Sequence, residues 1–302
     1  MLSNLSNNLS GQTSRLAIGT VQFGLNYGIA NQAGQIGSED AKKIIELSRS
    51  YGMNMLDTAI AYGDSEQRLG KIGISDWQVV SKLPAVPEGC CDIAQWVAEA
   101  LAKSLQRLNT NSLYGLLLHR PQQLFEKNGD RLYDALLQLK RDGLVQKIGC
   151  SIYSPLELNE LCKFFSFDIV QAPFNILDRR LIETEWLSRL NKLGTELHVR
   201  SVFLQGLLLM KPNDRPTKFL KWSVLWANWD RWLKTTGQTP LQATLRFALS
   251  MPEIGKIVIG VDSPQQLKEI IDAVDGPLPL IPEDLQSSDL DLINPANWAG
   301  IA

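Results

Sequence analysis

Histidine and cysteine are scarce in this sequence, with two and four residues respectively in 302. So few histidines exclude a His-rich metal site, and four thiols in a chain this long do not make a disulfide framework. Cys90 and Cys91 are adjacent and lack metal-ligand spacing, Cys150 falls in a strand-like run and Cys162 in an apolar helical one. All four read as reduced thiols of a cytoplasmic protein, with no metal site expected. Neither sign of charge dominates: 30 Lys and Arg stand against 32 Asp and Glu, so no basic field argues for nucleic acid or an anionic membrane. Long hydrophobic runs are missing as well. LYGLLLH (113–119) and SVFLQGLLLM (201–210) stop far short of the roughly 20 residues of a membrane span. The opening MLSNLSNNLSGQTS (1–14) has no basic start and no apolar core, and is expected to be a flexible tail rather than a signal peptide. Without a low-complexity linker or internal repeat beyond it, residues 15–302 are expected to form one domain.

What the chain does have is alternation. Short apolar runs at 15–20, 53–57, 77–82, 114–119, 146–151, 168–172, 196–201 and 256–260 read as strands. Amphipathic segments at 38–52, 92–108, 122–143, 155–165 and 183–194 read as helices between them, with Ser38 and Asp92 as N-caps. Eight βα units close a barrel, the (β/α)8 or TIM fold, and an open doubly wound sheet is the alternative. Residues 209–238 exceed what that barrel needs and predict an additional helix between strand 7 and helix 7. Its Trp222, Trp226, Trp229 and Trp232 share one face. That face is either an aromatic flap over the barrel mouth or packing against the barrel exterior.

Four residues, Asp57, Tyr62, Lys82 and His119, fall at or just after the C-terminal ends of candidate strands, where the mouth of such a barrel lies. A tyrosine is a poor acid or base until something lowers its pKa from about 10. An ammonium such as Lys82 favours the phenolate, a carboxylate such as Asp57 keeps that ammonium charged, and His119 supplies a donor for a carbonyl oxygen. Each residue alone has a plainer reading: a turn-capping aspartate, a loop tyrosine, a solvent-reaching lysine, a satisfied histidine. Together they suit reduction of an aldehyde or ketone, given a hydride donor.

The blocks that carry these residues extend the pattern. GTVQFG (19–24), DTAIAYGDSEQRLG (57–70), SLQRLNTNSLYGLLLHRP (104–121), LLQLKRDGLVQKIGCS (136–151), IVQAPFN (169–175), RSVFLQGLL (200–208) and IVIGVDSPQQLKE (257–269) occur in this order. The chain resembles the aldo-keto reductases over roughly residues 15 to 270. The resemblance implies a (β/α)8 barrel, a nicotinamide cofactor and a small-molecule carbonyl substrate, with Asp57, Tyr62, Lys82 and His119 as the catalytic set. It also implies that Ser151 and Gln171 hold the nicotinamide carboxamide, although Ile152 stands where the family usually has asparagine. Arg200 occupies the place of a stacking aromatic ring. Gly260 and the helix after it would meet a phosphate, Ser263, Gln266 and Glu269 match adenine and ribose contacts, and Gly19, Thr20 and Ser201 complete the cofactor set. NADP(H) is favoured over NAD(H) by the resemblance, yet no arginine is evident for a 2′-phosphate: Lys268 is the nearby cation, and Asp262 opposes it. The loop 23–37, rich in glycine and amides, is either an ordinary turn-rich connection or a surface for a hydroxylated ligand such as a sugar or sugar-derived carbonyl. A non-catalytic nucleotide sensor, like the potassium-channel β-subunits on the same barrel, is the competing class; a lyase or isomerase without nicotinamide is a second.

Overall fold

Strand β1 (Leu16–Gly19) pairs on one side with β2 (Met55–Asp57) and on the other with the last strand, β8 (Ile254–Gly260). Between them β3 (Gln78–Leu83), β4 (Leu113–Leu118), β5 (Val145–Ser151), β6 (Ile169–Pro173) and β7 (Glu196–Arg200) continue the sequence order, all parallel, into a closed barrel. This is a computed structural model, and the residues it describes are 11–31 and 34–301. The barrel, rather than the open sheet, is the fold.

The interior follows from a strand's period of two. Ala17, Met55, Val80, Leu117 and Ile169 form a small apolar core inside the barrel. Two residues further along the same strands stand Gly19, Asp57, Lys82, His119 and Gln171. One step of the pleat therefore separates the interior core from the polar layer at the mouth. Beneath that core lies a second polar layer, where Lys147 and the Tyr114 hydroxyl meet Glu196 at 3.0 and 2.8 Å. Burial works against the Glu196 charge, but His198, Lys147 and Tyr114 together pull its pKa down to about 2. The larger core fills the space between strands and surrounding helices.

Those helices are α1 (Ser38–Ser50), α2 (Ser65–Ile72), α3 (Ile93–Leu108), α4 (Gly129–Arg141), α5 (Leu158–Phe164), α6 (Trp186–Lys192), α7 (Ser223–Thr236), α8 (Pro240–Leu249) and α9 (Pro264–Ala273). Asp92 caps α3 as its sequence position suggests, accepting from the Gln95 amide at 2.9 Å. Ser38 instead begins α1, with Gly37 as its N-cap. Three expected helices are broken. A 3₁₀ turn (Pro121–Phe125) precedes α4, which starts after Asn128 in the left-handed region, and another (Pro155–Glu157) precedes α5. The turn Arg180–Glu183 is split from α6 by Glu185 at φ 60°.

Of the expected tail, residues 1–10 lie outside the described residues. Residues 11–14 are not loose: they form a helical turn, with Thr13 buried and its hydroxyl donating to the Tyr51 carbonyl at 2.7 Å. Two helices, α7 and α8, join β7 to β8. Trp226, Trp229 and Trp232 of α7 are buried, the last two stacked at 5.7 Å, and the Trp226 and Trp232 indoles donate to Phe219 and Leu280 carbonyls. The tryptophan face is packing, not a flap. Among the described residues, no helix is long and apolar enough to cross a membrane.

Candidate active site

The mouth of the barrel opens on a cavity of about 370 Å³. At its floor Lys82, 1% exposed, donates to Asp57 Oδ1 at 2.6 Å and to the Thr58 carbonyl at 2.9 Å. Asp57 Oδ2 accepts from Gln171 Nε2 at 2.6 Å, so both carboxylate oxygens are engaged. Burial by itself would lower the Lys82 pKa. The adjacent Asp57 charge and its hydrogen bond more than offset this, and the pKa stands above its ordinary value.

Tyr62 sits on the turn between β2 and α2, its ring centroid 5.2 Å from Lys82 Nζ. Two features fix that turn. Ser65, the first residue of α2, places its hydroxyl 2.9 Å from the Thr20 hydroxyl and carbonyl, and Thr20 donates to the Asp57 carbonyl at 3.0 Å. Gly24 approaches so closely that a Cβ there would lie 1.8 Å from the Tyr62 carbonyl. The His119 ring meets Tyr62 edge-on, with centroids 6.1 Å apart. Burial and the nearby Lys82 and Arg200 charges lower the His119 pKa from 6.5 to about 4, so its imidazole is neutral at physiological pH.

The structure thus brings Asp57, Tyr62, Lys82 and His119 to one cavity, and with them Gly19, Thr20, Ser151, Gln171, Arg200, Ser201, Gly260 and Gln266. Gln171 is more committed than its motif suggests: one amide N–H goes to Asp57, and its oxygen lies 3.3 Å from the Ser151 hydroxyl. Ser263 and Glu269 stand outside the lining. The Ser263 hydroxyl caps α9 by accepting from the Gln266 amide at 3.1 Å, while Glu269 is exposed and takes a bond from Gln265. Lys268 is turned to Asp272 and the Tyr51 ring.

Several lining residues escaped the motif reading. Tyr27 and Asn31 come from the loop after β1; Tyr27 Oη accepts from Gln205 Nε2 at 3.1 Å, and the Gln205 carbonyl accepts from the Ala30 amide. This tie brings the β1 and β7 loops together over the cavity. It rests on an irregular backbone, with Ser201, Leu204 and Gln205 at φ 61°, 49° and 53° and Gly206 at 90°. Strain of this kind gathers where a site imposes it. Asn175 braces the segment by donating to the Ser201 carbonyl at 3.1 Å. A tyrosine inside a Gly- and amide-rich loop was the only signal in the sequence.

The profile of the aldo/keto reductase family matches residues 15–287. The chain belongs to that family. Among its relatives are the oxidoreductase YqkF of Bacillus subtilis, 26% identical over a match spanning 59% of this chain and 60% of that protein, and the NADH-specific methylglyoxal reductase of Escherichia coli, 26% identical over 76% and 81%. A protein of Schizosaccharomyces pombe that carries the name of a voltage-gated potassium channel subunit beta is 24% identical over 83% of both chains. In fold, the chain is similar to an aldo-keto reductase of Bacillus halodurans in its holo form, with TM-score 0.70, 23% identity and 88% of both chains covered. Membership of the aldo/keto reductases supports an oxidoreductase, and nicotinamide cofactors are what that family uses. The cavity fits such a group: among the described residues the buried Gln22 Oε1 in its lining has no hydrogen-bond partner, and Gly19 and Gly260, paired at the β1–β8 seam, line the same cavity without side chains.

Proposed function

We propose that the protein reduces an aldehyde or ketone to an alcohol, with Tyr62 as the proton donor and Asp57, Lys82 and His119 as its partners. The observation that carries this reading is the Lys82–Asp57 pair, 2.6 Å apart and buried, beneath the Tyr62 ring. When bound, the nicotinamide cofactor supplies the hydride to the carbonyl carbon. Tyr62 Oη gives the proton to the carbonyl oxygen, and the Lys82 charge offsets the negative charge left on the phenol oxygen. Neutral His119 donates an N–H to the same carbonyl oxygen and polarises it. Ser151 and Gln171 hold the nicotinamide end; Gly19, Thr20, Ser201, Gly260 and Gln266 line its path. Ser263 and Glu269 retain a part only at the adenosine end, on α9.

For the cofactor, the family resemblance favours NADP(H), but the residues near α9 favour weak discrimination. Asp262 lines the cavity, and the nearby cation Lys268 is turned to Asp272. A charge-assisted contact to that phosphate contributes up to about 3 kcal/mol, roughly a hundredfold. We expect NADH and NADPH to bind within roughly tenfold of each other. Quenching of tryptophan fluorescence by each nucleotide measures this, and a thousandfold preference for NADPH would reveal an unseen phosphate site.

The competing reading is a nucleotide sensor that does not turn over, motivated by the resemblance to the channel-subunit relative. A panel of aldehydes, aldoses and ketosugars followed at the reduced-cofactor absorbance separates the two. Tyr62→Phe is expected to lose roughly 10²–10⁴-fold in turnover while still quenching with cofactor. Wild-type turnover in a folded Tyr62→Phe protein would sink the mechanism, and no turnover of any carbonyl by wild type would favour the sensor.

A further inference from the structure

Arg200 ends β7 inside the cavity, and its charge is held without a carboxylate. One terminal N–H donates to the Ile152 carbonyl at 2.9 Å, another to the Ser201 hydroxyl at 3.3 Å, and the guanidinium lies 4.7 Å over the Tyr153 ring. Among the described residues it has no ion pair with any acid. The other cation of the lining, Lys82, is neutralised by Asp57 at 2.6 Å. The remaining carboxylate, Asp262, belongs to the β8 end, where Gln266 receives its backbone amide and Asn31 approaches one oxygen at 3.5 Å. A guanidinium fixed in orientation by a carbonyl and an aromatic face, with N–H donors to spare, is built to receive a planar or tetrahedral oxyanion.

We infer that Arg200 selects the substrate: the carbonyl compound this enzyme takes carries an anionic group, a carboxylate or a phosphate, that pairs with the guanidinium. The inference rests on the reductase reading and narrows its substrate class. Charge balance argues the same way: Lys82 has its counter-ion in Asp57, and a substrate anion would give the Arg200 guanidinium one. The same charge explains why an aromatic ring is replaced here: a stacking ring would supply area but no anion selectivity.

The test compares matched pairs. Butanal is set against 4-oxobutanoate for the carboxylate, and glyceraldehyde against glyceraldehyde 3-phosphate for the phosphate. Wild type is expected to prefer one charged member by roughly 10- to 100-fold in kcat/KM, the value of a charge-assisted contact. In Arg200→Leu that ratio should fall to near one. Arg200→Lys, which keeps a point charge without the fork, should retain part of it. Tryptophan quenching by cofactor verifies that each variant is folded. Calorimetric titration of the protein loaded with oxidised cofactor, which has no hydride to give, reads the preference for the same four compounds without turnover. If no compound is reduced yet the charged ones bind more tightly through Arg200, the reductase reading fails and the anion site stands. A wild-type ratio near one for both pairs overturns the proposal. So does a ratio unchanged in Arg200→Leu, or a variant whose only defect is weaker cofactor binding with all substrates affected equally.

Discussion

At the scale of single residues, the two charges at the floor of the cavity have a part in stability and, on the proposed mechanism, in catalysis, and a paired substitution separates the two. Lys82→Met leaves Asp57 buried with Gln171 as its remaining side-chain donor among the described residues, and an uncompensated buried charge costs about 3–5 kcal/mol. Combining it with Asp57→Asn removes both charges, so denaturant titration should recover much of that loss while turnover stays abolished. Recovery of activity in the double variant would refute the role assigned to the pair. His119 gives a pH prediction with the opposite sense to a salt-bridged histidine. Its pKa falls from 6.5 to about 4 on folding, so the unfolded chain binds the proton more readily. Stability is therefore expected to decline as pH falls from about 6.5 to about 4. His119→Gln should flatten that slope, and with only two histidines in the chain, NMR titration can follow the imidazole directly. Of the proposed catalytic quartet, Asp57, Lys82 and His119 were legible because each stands one step of the strand period beyond an apolar run, whereas Tyr62 lies on the turn after β2 and was legible only from its block. Arg200's setting was not. Its contacts with the Ile152 carbonyl and the Tyr153 ring depend on how β5 and β7 curve toward one another, which no local pattern records.

Among elements, α7 shows what a periodic face can and cannot say. The spacing of its tryptophans placed them together, but the choice between covering the mouth and packing on neighbours depends on the chain that follows. The indole N–H of Trp232 reaches the Leu280 carbonyl and that of Trp222 reaches Asp289, both in the C-terminal segment. None of the four lines the cavity. Trp229 is fully buried and its Nε1 has no hydrogen-bond partner among the described residues. Trp229→Ala is expected to cost about 3–5 kcal/mol, and Trp229→Phe less than about 1.5, since the indole donor contributes no bond. Thermal melts would give both values, and kcat/KM of the folded fraction should remain at the wild-type level. A selective loss of activity would restore the flap. The breaks at Asn128 and Glu185 were illegible for a related reason: each is one residue with a positive φ inside a run whose amphipathic period continues across it.

Over the whole molecule, the barrel interior reads as layers: a charged network around Glu196 below, a thin apolar core, and the polar layer of the cavity above. His198, with neither ring nitrogen hydrogen-bonded among the described residues, sits 3.6 Å from Glu196. The closed topology was legible from eight strand-like runs. The order of its closure has a consequence for how the protein acquires activity. Asp57 meets Lys82 from the next strand, but its second oxygen is bonded by Gln171, 114 residues further on and across the lumen. Gly19 likewise finds Gly260 only when β1 and β8 meet. Contacts so distant in sequence form late, because the entropy of loop closure comes before their reward. Local βα pairs can gather earlier and already contain Asp57, Tyr62, Lys82 and His119, yet without closure they leave the charges hydrated and the strand edges open to self-association. On refolding from denaturant, helical ellipticity is therefore expected to return first, and nucleotide-dependent fluorescence quenching and turnover to appear afterwards and together.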